Sequence, residues 1–368
     1  MKQLKLWKGS ILVLALFLLL LQMGCGDRID LDKSIIIQVN ALDSTEEGEL
    51  RSYITAPIFP EVEGKNEIVL SEVGRSLRHN RRLLLSDSVG QLLAGKIQVI
   101  LFTKKFLSAH NLFEELNVYF RDPINPNDAI LLYTEAPLES IFTIKKRLRP
   151  MVSTYIYELV DLANKEGLSV ETTLERFNYL HYNKGMTPAV TEIGIKDGRL
   201  KNTGTVLLSK EGKRRTKLSN SQSSLLLLLR NESSFPLNYS FKKGEHEISF
   251  DMLRAKTKIR SEYQRGSFHF TVNIPVSINL TEYTLNRTFE QDREIIIHSI
   301  KEELKDKFTE VIRLCQSKGV DPVGFGMYAR AYQYRHFKKV EDRWTEAFAE
   351  AEIVLKPEIS IKRFGIVK

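Results

Sequence analysis

The sequence predicts a multi-domain α+β protein in which mixed sheets are flanked by helices and a long amphipathic helix lies in the carboxy-terminal domain. Three patterns carry that expectation. Short β-branched runs alternate with helical periodicities up to about residue 186, strand-like alternation dominates from Ala189 onward, and one apolar stripe continues from Ile297 to Cys315. At roughly 100 to 200 residues per domain, the 368 residues allow two or three domains. The 42% hydrophobic content is enough for real cores and excludes disorder across the whole chain. The expected units are a lipoprotein signal peptide over 1–24, an amino-terminal α/β domain over 25–186, a strand-rich middle domain over 187–245 and a carboxy-terminal α+β domain over 246–368.

The first unit is an export signal. Lys2, Lys5 and Lys8 precede an uninterrupted apolar run from Ile11 to Leu21, a charged n-region followed by an h-region. As a helix that run rises about 16 Å, against roughly 30 Å of hydrocarbon core, so cleavage is expected over an uncleaved anchor. Gly24-Cys25 at the end of the h-region resembles a bacterial lipobox, although Gln22 stands where such motifs usually carry Leu. In that motif the cysteine sulfur receives a diacylglyceryl group and becomes the first mature residue. The other reading is an ordinary signal peptide with an incidental cysteine. Two acyl chains suffice for stable anchoring, where one short chain binds reversibly.

Along the rest of the chain, Ile35, Ile36, Ile37 and Val39 predict a strand over Ser34 to Leu42, and Asp43 to Gly48 an acidic turn. Extended segments follow around Ile54, Ile58 and Ile68 to Leu70, then a helix over Ser71 to Leu85. Ile97 to Phe102 reads as a central strand, Phe106 to Phe120 as a helix that Pro123 prevents from continuing, and Ile130 to Tyr133 as a strand. Helices are expected over Met151 to Glu166, opened by Pro150 and stopped at Gly167, and over Val170 to Leu180. Asp197-Gly198 joins strands Val190 to Lys196 and Arg199 to Leu208 as a hairpin. The five leucines Leu225 to Leu229 are too short to span a bilayer and read as a buried strand. Strands over Ile248 to Ile259 and Ser267 to Leu285 precede the long helix Arg293 to Ser317, with Gly319 past its end. A helix near Val340 to Ala351 and a strand over Glu358 to Ile361 complete the chain.

No catalytic motif emerges. The seven histidines are scattered without a His-Glu-x-x-His pair, and no Gly-x-Ser-x-Gly elbow or phosphate loop is present. Glu245-His246-Glu247 alternates faces on a strand, which defeats metal binding. Gly324-Phe325-Gly326 with Ala329 imitates a dinucleotide fingerprint but lacks the preceding strand, and reads as a turn between helices. A glycosidase needs only two facing carboxylates, a pairing among the 46 acids that the fold and not the sequence order creates. Cys315 falls on the apolar stripe, so a buried thiol is expected, and Trp344, Phe348 and Phe325 are expected in a core. Of two basic clusters, Lys210 to Lys217 and Arg75 to Arg82, each reads either as a solvated surface or as one that lies on an anionic membrane. Removing 1–24 leaves 51 basic residues against 46 acidic, so the formal charge falls from +8 to +5. An exported chain has no access to cytoplasmic nucleic acid.

Four stretches resemble one family. They are Cys25 with Asp27-Arg28; Gly95-Lys96-Ile97-Gln98-Val99 with Arg121-Asp122-Pro123; and Glu192-Ile193-Gly194-Ile195-Lys196 with Gly198, Leu200 and Gly204. The fourth covers the last third, with Leu280-Thr281-Glu282, Gln316, Asp321-Pro322-Val323-Gly324-Phe325-Gly326, Trp344, Phe348, Ile361, Arg363 and Gly365. In this order they are similar to the Ger(x)C spore germination lipoproteins, with Gly26 standing where that family usually has Trp. The resemblance implies a non-enzymatic C subunit of a nutrient germinant receptor, acting beside a polytopic A and a transporter-like B membrane subunit. It also implies tethering through acylated (palmitate-bearing) Cys25 to the outer surface of the spore inner membrane, and no catalytic, metal or cofactor residues. The alternative is an extracytoplasmic solute-binding lipoprotein, for which two similar α/β lobes around a cleft are expected.

Overall fold

The computed structural model describes residues 34–364 apart from 63–64, 87, 89, 123, 145–148, 245 and 284–288. The export signal, Cys25, Pro123, Glu245 and Gly365 therefore lie outside the described residues. Strands β1 (Ser34–Ile36) and β5 (Gln91–Leu93) form a parallel pair. The main sheet contains β2 (Val39–Ser44), β3 (Leu50–Val62), β4 (Lys65–Gly74), β6 (Val99–Thr103), β7 (Ile130–Thr134), β8 (Ala189–Lys196), β9 (Arg199–Leu208) and β10 (Arg214–Leu218). Their spatial order is β10-β9-β8-β7-β6-β2-β3-β4. β2, β6, β7 and β8 are parallel, and antiparallel strands extend the sheet on both sides. Every residue of β6 and β7 is buried, as expected for parallel strands with both faces covered.

The two faces are separated by strand alternation. Ile100 and Phe102 join the buried residues of α1 (Leu77–Ser86), α2 (Lys104–Ala109), α3 (Leu112–Phe120) and α6 (Leu174–Tyr182) in one core. Val99 and Leu101 point to the opposite core, beneath α4 (Leu138–Phe142) and α5 (Val152–Lys165). The β8–β9 hairpin turns at Asp197 (φ +55°) and Gly198 (φ +67°), the left-handed pair that a type I′ turn requires.

A second sheet holds β11 (Leu237–Lys243), β12 (His246–Ala255), β13 (Lys258–Gln264), β14 (Ser267–Tyr283) and β15 (Glu352–Phe364). β14 pairs with β12 and β13 antiparallel and with β15 in parallel. Phe268, Phe270, Val272 and Ile274 of β14 are buried on alternate positions. They share a core with α7 (Asn220–Arg230) and with α8 (Phe289–Ser317), whose Ile296, Ile300, Leu304, Phe308, Val311 and Cys315 are buried. The stripe begins at Ile296; Ile297 is only half-buried. α9 (Phe325–Tyr332), α10 (Tyr334–Val340) and α11 (Trp344–Ala349) close the same core, where a break at Glu341–Arg343 replaces the expected continuous helix.

Several expectations are corrected. Leu225 to Leu229 is not a strand but most of the carboxy-terminal half of α7, a helix fixed by a capping box in which Ser219 and Gln222 bond reciprocally and ended by Asn231 at φ +58°. Its continuous apolar run reflects a helix buried all round, with all five leucines at most 3% exposed. Ser71 to Leu85 is not one helix: β4 runs to Gly74, and α1 starts after Ser76, whose hydroxyl accepts from the His79 N–H. Phe106 to Phe120 breaks at Asn111, whose side chain caps α3. The 187–245 segment does not form a sheet of its own, because β8, β9 and β10 complete the first sheet and β11 opens the second.

Candidate functional site

The most constrained arrangement lies where the two halves meet. Past α8, Gly319 (φ +61°) reverses the chain and Val320 N–H bonds back to the Cys315 carbonyl at 3.0 Å. Asp321 follows, fully buried. Its Oδ1 accepts from Gly324 N–H at 2.8 Å, and its Oδ2 accepts from Gly326 N–H and from Trp344 Nε1–H, both at 2.9 Å. The Asp321 carbonyl also accepts from Thr187 N–H at 2.9 Å, which ties this turn to the entry of β8. At the same point the backbones of Gly185 and Gly326 touch: a Cβ added to Gly326 would lie 2.6 Å from Gly185 Cα and 2.6 Å from Trp344 Nε1. Burial pushes the Asp321 carboxyl up from its ordinary range, while the N–H groups of Gly326, Trp344, Phe325 and Gly324 act in the opposite sense. With its oxygens occupied by structural donors and no solvent contact, Asp321 is a fastening and not a reactive acid.

Around this fastening, Phe325, Trp344 and Phe348 form the expected aromatic core, with Phe325 and Phe348 stacked at 5.5 Å between centroids. Cys315 is buried beside them, and burial pushes its thiol pKa up, which suppresses thiolate chemistry. A cleft of about 350 Å³ runs along the seam, bordered by His181, Lys184, Lys210, Glu341 and Trp344. Its cations are engaged. Lys184 pairs with Glu341 at 2.9 Å and Asp342 at 2.8 Å, and Lys210 Nζ donates to the Asn183 carbonyl. Burial, with Lys184 nearby, pushes the Lys210 ammonium down to about 8. His181 stacks on Phe113, and burial lowers its pKa as well.

The two basic clusters end differently. In the Lys210 to Lys217 cluster, Lys210 turns into the seam, Arg214 pairs with Glu135 at 3.0 Å and Lys217 pairs with the nearly buried Glu192, while Lys213 and Arg215 stay exposed. On α1, by contrast, Arg78, Arg81 and Arg82 are exposed, and among the described residues no carboxylate pairs with them. Arg81 Nη2 donates to the Leu92 carbonyl of β5 at 2.9 Å, which fixes this helix beside the β1–β5 pair. Among the described residues no helix is long and apolar enough to cross a membrane, and no three His, Cys, Asp or Glu side chains gather to hold a metal. Cys25, the single site residue expected from sequence, lies outside the described residues. No local pattern signals the role of Asp321, which depends on Trp344, 23 positions away.

Residues 27–195 match the family model described as the spore germination protein N-terminal domain, and residues 203–365 match the model described as spore germination B3/GerAC like, C-terminal. Spore germination protein GerQC of Bacillus cereus is 22% identical over 97% of this chain and 98% of its own length. Spore germination protein B3 of Bacillus subtilis (strain 168) is 20% identical over 95% of this chain and 96% of its own. The crystal structure of the GerBC protein superimposes with a TM-score of 0.62 at 17% identity, covering 88% of this chain and 96% of that one, which establishes a shared fold. With both halves matched in order along a single chain, the protein belongs to the GerAC-like, or Ger(x)C, family of spore germination proteins.

Proposed function

We propose that this chain is the non-enzymatic, lipid-anchored C subunit of a nutrient germinant receptor, required for spores to respond to small-molecule nutrients. The observation that carries the reading is the pair of family matches, 27–195 and 203–365, together with relatives named as spore germination proteins that align over nearly their whole length. Acylated Cys25 holds the chain on the outer surface of the spore inner membrane, beside the receptor's A and B membrane subunits. Only nine positions separate Cys25 from Ser34, a reach of about 30 Å at most. The anchor therefore keeps β1, and the α1 arginines packed near it, within tether reach of the bilayer, and each arginine that comes to its surface contributes about 1 kcal/mol against anionic lipid. The unlike sheets, eight strands and five, weigh against the solute-binding alternative and its two similar lobes.

The deciding experiment uses spores lacking this chain in a strain without a redundant receptor. Germination followed by loss of optical density is expected to fail for at least one nutrient and to return on complementation. Normal germination with every nutrient tried would sink the proposal. Separately, a Cys25→Ser chain that fractionates with membranes as fully as the parent would refute the anchor.

A further inference from the structure

Between α1, α3 and the β2–β3 face of the main sheet lies a cavity of about 250 Å³ that the family assignment leaves without a role. Its walls are apolar: Ile37, Ile54, Leu77, Leu84, Leu92 and Ile97 all line it and are buried. The size exceeds the roughly 150 Å³ that admits benzene and falls below the roughly 300 Å³ at which drug-sized pockets begin. It suits one short hydrocarbon chain, or the end of a longer one, and is too small and too apolar for a nucleotide.

The polar groups are placed unevenly. Arg78, Arg81 and Arg82 line the cavity while remaining exposed, so they stand at its mouth, where Asp122 is the one carboxylate among the lining residues. That leaves three cations to one anion. Arg81 is held at the rim by its bond to the Leu92 carbonyl, and its remaining guanidinium N–H groups are free to form the forked contact that carboxylate and phosphate accept. Elsewhere in the lining, Asn40 Nδ2 donates to the Tyr119 hydroxyl at 2.6 Å, and Ser52 Oγ donates to Asn40 Oδ1 at 3.4 Å. Asn125 is only 8% exposed, and its Oδ1 is buried without a hydrogen-bond partner, an arrangement that a donor from a bound molecule would relieve. The net positive charge of the lining sits on the arginines, so an anionic head is directed to them.

We propose that this cavity binds an anionic amphiphile, taking up its hydrocarbon chain between α1 and α3 and holding its carboxylate or phosphate head at Arg78, Arg81 and Arg82. Either a free fatty acid or an anionic membrane lipid presents that chemistry. The proposal does not rest on the germination role, and its test reads binding alone. Full-length protein captured on beads through a carboxy-terminal tag, and washed free of detergent, is equilibrated with radiolabelled octanoate. Saturable binding near one per chain is expected, at least tenfold weaker in the Arg78→Gln/Arg82→Gln double variant, whose substitutions are exposed and leave the core intact. Ala94→Phe, which fills the cavity from its wall, should abolish binding; circular dichroism reports whether that variant folds. Displacement of the label by phosphatidylglycerol vesicles but not phosphatidylcholine vesicles identifies the bilayer as the source, and no displacement by either identifies the free acid. Absence of saturable binding, equal binding of octanol, or unchanged affinity in the arginine variant would each overturn the proposal.

Discussion

Trp344 donates its indole N–H to the carboxylate of Asp321 at 2.9 Å, across 23 positions of chain and with both side chains buried. Because the same carboxylate also receives Gly324 and Gly326 N–H, one side chain organises the turn, the start of α9 and the start of α11 together. Substituting Asp321→Ala leaves three buried donors without an acceptor, each costing about 1–3 kcal/mol. The expected loss of stability is about 3–5 kcal/mol, read as a lower urea midpoint. Trp344→Phe removes one of the bonds and should cost less. A midpoint for Asp321→Ala equal to the parent's would show that the network contributes nothing.

The Gly185–Gly326 contact makes a different prediction, because at neither position is φ positive and only the closeness of the other backbone excludes a side chain. Gly326→Ala should destabilise by about 1–3 kcal/mol through overpacking. It should also speed hydrogen exchange at Thr187, whose N–H bonds to the Asp321 carbonyl across the seam. Gly198→Ala is the control: its Cβ would meet open space and only the left-handed φ of +67° is strained. That variant should leave Thr187 exchange unchanged.

α7 shows what was legible and what was not. Its five leucines are equally compatible with a strand and with a helix enclosed on every side, since a short apolar run has no periodicity to distinguish them. The deciding signal was nevertheless present in Ser219-Asn220-Ser221-Gln222, a capping-box spacing just before the run. By contrast α8 could be read from its spacing, because one face is wet and the other dry, and the β8–β9 hairpin from Asp197-Gly198. Sheet membership was not legible. Whether β8 joins β7 or opens a new sheet depends on a parallel pairing of Leu132 with Thr191, which no local pattern encodes. The Asp321 fastening was likewise visible only as a string of residues, without its partner.

The helical reading of α7 has a measurable consequence. Leu226→Ala, at a fully buried position, should cost about 2–5 kcal/mol. Ser219→Ala removes the side-chain acceptor of the capping box and should cost about 1 kcal/mol. Chemical denaturation separates the two. A Ser219→Ala variant indistinguishable from the parent would count against the cap as the element that sets the start of this helix.

Lys210 gives the seam a pH dependence whose sign follows from proton binding. Its ammonium is pushed down to about 8, first by burial and then by Lys184, while Glu211 and Asp321 pull it back up. In the unfolded chain the same group titrates near its ordinary 10.5. Between about 8 and 10.5 the unfolded state therefore holds a proton that the folded state has released, and stability rises with pH across that window. Below 8 the penalty for burying the charge is present in full. Lys210→Met removes the charge, and also the bond to the Asn183 carbonyl, whose loss is the same at every pH below 8. The midpoint of Lys210→Met minus that of the parent should accordingly be largest near pH 7 and shrink toward pH 10. Lys184→Gln, by removing the nearby cation, should move the onset of that change upward. A difference independent of pH from 7 to 10 would mean that Lys210 keeps its ordinary pKa at the seam.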